Sequence, residues 1–292
     1  SYIDKNAHPD KSSMEKRWEV IYQQILGLVQ TGAPIVLATI LLNLISVSVY
    51  SIYNMVISGI NGVLSIFISG LPAGFGDLIA RKEDVTLRKT VSEFEVAYYY
   101  ILSIVYGLAF ALIMPFVSVY TRGLSDANYY HPLLGAVIVL NGLLYNIKTP
   151  QSMLIVSAGM YKETRWRVTV QGLIIIVFGA IGGKLAGMVG IIFGSCLSNL
   201  YRTIDLLFFT PKYITHASPL KSILRMILAI VNIVLIYGVS LIYSPMCLSY
   251  LQWIELAIVY GIWAVSVVTV SVYTFERKEF ISVMRRMLSL VK

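Results

Sequence analysis

The chain has 292 residues, of which 57% are hydrophobic and only 13% charged, with a formal net charge of +8 and a mean hydropathy of +0.76. A soluble domain carries about 25% charged residues, so this composition excludes an ordinary water-facing surface and points to lipid as the solvent. Cys196 and Cys247 lie far apart in apolar surroundings, which gives neither a disulfide framework nor a C-x-x-C metal or redox motif.

Residues 1–19 are polar and carry no signal-peptide pattern. Residues 20–76, 96–121 and 226–254 contain no charged side chain at all. A helix crosses a bilayer with about 20 apolar residues, so the first run must hold two crossings, and it relaxes near residues 43–46. Taken in chain order, the apolar runs predict eight spans at 21–44, 47–79, 94–120, 133–160, 168–181, 188–208, 226–243 and 253–273. The fifth and sixth are short and are separated by a glycine-rich turn around Gly182 and Gly183.

Of the 23 Lys and Arg residues, all but Arg122, Lys184 and Lys148 fall on one side of this arrangement if the amino terminus is inside. Arg202 and Arg225 are counted with the third inner loop. By the positive-inside rule this bias supports an even number of crossings and cytoplasmic termini, and it accounts for the net charge without invoking nucleic acid. The tail, residues 275–292, predicts a short amphipathic helix along the inner leaflet, with Phe280, Val283, Met284, Met287 and Leu288 on one face. Asp77, Glu93 and Glu95 flank the basic inner loop, where pairing with Arg81 or Arg88 is the ordinary expectation.

An ionisable side chain inside a span costs at least ~2.5–3.5 kcal/mol on insertion scales and marks a candidate site. Lys148 is the foremost case, near the middle of the fourth span. Pro150, two residues on, removes a backbone donor and predicts a kink. Asn141, Asn146, Thr149 and Gln151 cluster around it, which suggests a helix wall facing an aqueous cavity, with a positive charge suited to a phosphate. Pairing of Lys148 with a carboxylate on another helix is the alternative. Asn54 and Asn61, seven residues apart, share a helix face and are further candidates for lining. Gln30, Gln171, Asn199 and Asn232 are weaker candidates, equally explained by interhelical hydrogen bonds.

Glycines spaced by four (Gly179, Gly183 and Gly187; Gly70 and Gly74; Gly190 and Gly194) predict close helix packing. The segment around Lys184 is no phosphate loop, because Phe178 stands where the first glycine is required and no Ser or Thr follows the lysine. No motif for an enzyme, a metal or a cofactor is present, and the loops are too short for a catalytic domain.

The stretch "VSVYSIYNMVISGINGVLSIFISGLPAGFGDLIARKE" (47–83), then "FE" (94–95), "MPFVSVYTRG" (114–123), the basic residue two before Pro150, "SAGMYKETRWR" (157–167) and "GKLAGMVGIIFGSCLSNLYR" (183–202) resemble, in order and spacing, the second lobe of polysaccharide flippases. These belong to the multidrug/oligosaccharidyl-lipid/polysaccharide exporter superfamily. The resemblance covers nearly all of residues 23–215.

It implies an all-α integral membrane protein with one six-helix lobe (21–215) and two additional helices (216–274). A cytoplasmic inter-lobe linker (1–20) would precede them, and a cytoplasmic tail (275–292) would follow. It further implies a bacterial inner-membrane flippase, not an enzyme, that moves undecaprenyl-diphosphate-linked oligosaccharide by alternating access for surface polysaccharide such as O-antigen. Its partners would be that lipid, membrane lipids, other polysaccharide-assembly proteins and a first lobe that this chain, starting without a methionine, lacks. Lys148, Asn146, Gln151, Asn141, Asn54 and Asn61 are the expected substrate-binding residues, with Pro150 as the kink and no metal or cofactor. A multidrug exporter of the same superfamily, or a membrane component of polysaccharide synthesis, are the competing expectations.

Overall fold

The computed structural model describes residues 11–243 and 247–291, and every regular element among them is helical. In chain order they are α1 (Lys11–Leu41), α2 (Leu44–Ile68), α3 (Leu71–Ala80), α4 (Asp84–Tyr120), α5 (Pro132–Ile147), α6 (Thr149–Ala158), α7 (Tyr161–Thr210), a π-helical turn (Pro211–Thr215), α8 (Leu220–Ile242), α9 (Tyr250–Phe275) and α10 (Arg277–Val291). Taking α5 with α6 as one unit, seven helices are long and apolar enough to cross a membrane.

The α1–α2 junction lies where the apolar run relaxes: Asn43 Oδ1 caps α2 by accepting from the Ser46 amide at 2.8 Å. Three boundaries differ from the sequence reading. The linker expected over 1–20 is already helical from Lys11, and its residues 1–10 lie outside the described residues. The single span expected at 47–79 is two helices: the chain turns at Gly70, whose φ of 84° belongs to the left-handed region, and Pro72 sits in the first turn of α3. The third helix starts ten residues earlier than expected, and its 37 residues extend about 55 Å, well beyond a ~30 Å hydrocarbon core.

The 50-residue α7 is a hairpin of two arms. Ala186 (φ −137°, ψ 20°) and Gly187 (φ 59°, ψ −139°) leave the helical region, and the chain folds back on itself there. Ser198 Oγ donates to Gln171 O at 2.8 Å, although 27 residues of continuous helix would hold them about 40 Å apart. Gly182 and Gly190 approach so closely that a Cβ on either would run into the other's backbone, and Gly194 meets Gly179 likewise. Gly179, Gly183, Gly190 and Gly194 therefore serve packing, as expected, whereas Gly187 makes the turn and Gly182, expected at the turn, lies in the packed arm. Gly70 and Gly74 do not serve packing: a Cβ on either would meet nothing. Arg167 and Arg202 both pair with Asp205 at the open end of the hairpin. The first arm carries α1, whose Leu37 and Leu41 nest against Gly179 and Gly183.

Long and largely buried, α4 is the central post, packed by α2, α3, α5 and α6 and, on another face, by α8 and α9. Ile236 of α8 seats on Gly107, and Tyr100 Oη meets Thr269 Oγ1 of α9 at 2.9 Å. The tail helix α10 packs on the projecting start of α4: Phe280 stacks near Tyr100 at 5.9 Å, and Ser282 Oγ donates to Glu93 at 2.7 Å. Of its expected apolar face, Phe280 and Val283 are partly buried and Met284 is 43% exposed, while the Met287 and Leu288 side chains lie outside the described residues.

Candidate functional site

Pro150 has no N–H, so the carbonyl of Asn146, four residues back, loses its helical partner. The helix breaks there, with Lys148 both ending α5 and preceding α6. Tyrosines of α4 take over the freed acceptors: Tyr98 Oη donates to Asn146 O at 3.2 Å and Tyr99 Oη to Ile147 O at 3.1 Å. The Lys148 side chain folds back over the last turn of α5. Its ammonium donates to Tyr145 O at 2.9 Å and to Asn199 Oδ1 at 2.7 Å, and lies 4.5 Å from the Tyr145 ring centroid. It is 7% exposed, and no carboxylate of the described residues lies within ion-pairing distance. Neutral acceptors satisfy this buried cation while leaving its charge uncompensated.

Lys148 borders a cavity of about 520 Å³ among α1, α2, the α5–α6 break and both arms of α7. Gln23, Gly27 and Gln30 come from α1, Asn61 and Ser65 from α2, Asn146, Thr149 and Ser152 from the break, and Gln171 and Arg202 from α7. No Asp or Glu is among the described lining residues. Gly27 and Ser65 are exposed, so the cavity opens between α1 and α2, toward the end where α1 begins and α2 finishes. Buried Gln23 Oε1 and Gln171 Nε2 have no hydrogen-bond partner among the described residues, one an acceptor and the other a donor. Lys148 and Arg202 are the charged residues among the described lining, and Arg202 is paired with Asp205, so Lys148 is the charge left uncompensated there, in a low-dielectric setting where charges act strongly.

The six sequence-predicted binding residues do not converge on this cavity as a group. Lys148, Asn146 and Asn61 line it, and Asn146 Nδ2 donates to Asn61 Oδ1 at 2.7 Å. Asn141 stands behind them and accepts from Asn199 Nδ2 at 3.0 Å, which orients the amide that holds Lys148. Asn54 lies apart, two turns before Asn61, accepting from Tyr50 Oη at 3.2 Å. Gln151 faces away: its Nε2 donates to Glu95 Oε1 at 2.9 Å.

Gln151 thus joins a second polar cluster that the sequence did not reveal. Glu95 is buried and pairs with Arg225 of α8 at 2.9 Å, not with Arg81 or Arg88. Arg225 also pairs with Glu276 at 2.9 Å and donates to Ser92 Oγ at 2.8 Å, and Ser222 Oγ donates to Glu95 at 2.7 Å. Asp77 alone pairs as expected, with Arg81 at 3.0 Å, while Glu93 pairs with Arg286. Arg202 and Arg225, expected in or beside the third inner loop, are buried inside helical packing. Sequence reasoning missed Arg202; it lies three residues from both Asn199 and Asp205, and that spacing, which brings the three toward one helix face, is the signal that could have found it.

Comparison of the chain with protein-family models, with curated proteins and with solved structures gave no match.

Proposed function

We propose that this chain forms one lobe of a membrane transporter that carries an anionic lipid-linked oligosaccharide from the inner to the outer leaflet of a bacterial plasma membrane. The supporting observation is Lys148: a buried cation with no carboxylate partner among the described residues, held at a helix break on the wall of a polar cavity whose described lining residues include no acidic side chain. The likeness of the sequence to polysaccharide flippases supplies the substrate class, an undecaprenyl-diphosphate-linked unit for surface polysaccharide such as O-antigen.

In this reading the two arms of α7 are separate crossings, which makes eight, and both ends of the chain lie in the cytoplasm. A second lobe facing the gap between α1 and α2 would complete the cavity, and rocking of the two lobes would expose it to each side in turn. No covalent chemistry is required. Lys148 would attract the phosphate groups, with Asn146, Asn61, Gln23 and Gln171 offering neutral hydrogen bonds to phosphate or sugar. A carrier of cationic compounds fits less well, because the buried carboxylates Glu95 and Asp205 are each neutralised by arginine.

The test is deletion of the full gene in its host, followed by complementation and assay of the carrier-lipid pool. Deletion is expected to accumulate completed units on the inner leaflet and to remove surface polysaccharide. Lys148→Ala is expected to behave like the deletion and Lys148→Arg to restore part of the export. An unchanged lipid pool on deletion, or full export with Lys148→Ala, overturns the reading.

A further inference from the structure

We propose a second anion site, at the end of the bundle where α4 and α8 begin, that takes the phosphate headgroup of an anionic membrane phospholipid. A cavity of about 410 Å³ lies between the first turns of α4, the π-helical turn after α7 and the start of α8. Three cations border it: Arg88, Lys221 and Arg225. Among the described residues the only carboxylate on its wall is Glu95, and that group is already engaged by Arg225, Ser222 and Gln151. Arg88 donates through Nε to the Asp84 carbonyl, and neither Arg88 nor Lys221 has an ion-pair partner among the described residues. The wall therefore holds a net charge of about +2 with two cationic heads available to a ligand.

A second feature points the same way. The first turn of α8 has no acidic residue, and Lys221 occupies the positive end of the helix dipole, where a cation is unfavourable. Glu95 and Glu276 compensate Arg225, and nothing among the described residues compensates Lys221. A phosphate bridging Arg88 and Lys221 would relieve both charges. The position suits a lipid headgroup, since α8 turns apolar directly after Arg225 and α4 does so after Glu95, so the cavity sits where hydrocarbon gives way to headgroups. This site is separate from the Lys148 cavity and does not depend on the reading of that cavity, nor on which membrane face it occupies.

The experiment uses the full-length protein in detergent, with lipid retention read by native mass spectrometry after exchange against phosphatidylglycerol or phosphatidylcholine. Phosphatidylglycerol is expected to be retained in preference. Arg88→Gln with Lys221→Gln, both exposed and hence tolerable to the fold, is expected to lower its affinity roughly ten- to thirty-fold. A control pair outside the cavity, Lys89→Gln with Arg285→Gln, is expected to leave it within about twofold. Equal retention of phosphatidylcholine, no loss in the double variant, or an equal loss in the control pair overturns the site. Displacement by millimolar inorganic phosphate would uphold the phosphate site while overturning the lipid as its source.

Discussion

Lys148 and Arg225 are both buried cations, and they differ in what holds them. Arg225 sits between Glu95 and Glu276, so removing any partner strands a charge in a dry setting. Arg225→Ala is expected to destabilise the protein by about 3–5 kcal/mol, read as a fall in the denaturation midpoint of the full chain in detergent. Lys148→Met strands only neutral acceptors, Asn199 Oδ1 and Tyr145 O, and is expected to cost about 1–3 kcal/mol. If Lys148→Met unfolds as readily as Arg225→Ala, the lysine is serving the fold and not a ligand. Lys148 was legible in the sequence because it stands alone in an apolar run beside a proline. Glu95, Arg202 and Arg225 were not, because charges near the ends of apolar runs are ordinary topological markers. Only tertiary packing joins residue 95 to residue 225. The break at Lys148 also defeats the grouping by proximity: Lys148 turns toward Asn199, and Gln151, three residues on, turns toward Glu95.

Among the elements, the α7 hairpin makes the sharpest demand on its residues. Its arms touch backbone to backbone at Gly182–Gly190 and where Gly194 meets Gly179, so a side chain at Gly182, Gly190 or Gly194 must wedge them apart. Gly190→Val is expected to cost about 1–3 kcal/mol by overpacking, whereas Gly62→Ala, where a Cβ meets nothing, is expected to be neutral or slightly stabilising. Thermal denaturation of both variants checks this, and equal tolerance of the two would mean that the arms are not in contact. The glycine period announced this packing in the sequence. The α2–α3 break carried a signal as well, Gly70 with Pro72 close behind, but hydropathy alone runs straight through it. The early start of α4 left no hydropathic trace, since its first turns are polar and are stabilised by contact with α10.

For the molecule as a whole, the fold-back at Ala186–Gly187 decides the topology. With two crossings in α7, Lys162 and Lys212 emerge on one side, together with Lys82 and Arg285, and Lys184 emerges on the other with Asn128. Single cysteines at these positions, in a Cys196→Ala/Cys247→Ala background, are expected to divide into those two groups when cells are treated with a membrane-impermeant thiol reagent. Labelling of positions 162 and 212 from opposite sides would overturn the two-crossing hairpin. Bilayer thickness sets the length of the apolar runs and divides the sequence into eight spans, whereas the described residues hold seven helices long and apolar enough to cross, one of them folded back on itself. The sequence did not show that α8 and α9 would pack on α4, on each other and, for α9, on α10, away from the Lys148 cavity, because hydropathy does not encode which helices are neighbours.

The same hairpin bears on how the chain enters the bilayer during synthesis. A turn of two residues leaves no loop to be carried across ahead of the second arm, so the arms have to partition from the insertion machinery together. Each arm carries charge, Arg167 on the first and Arg202 with Asp205 on the second, and on its own each would meet a steep barrier in hydrocarbon. Because Asp205 binds both arginines, the paired arms present lipid with one residual charge in place of three separate ones, before any other helix has docked. Asp205→Asn would then act during biogenesis, lowering the yield of correctly inserted protein even where the finished fold tolerates the change.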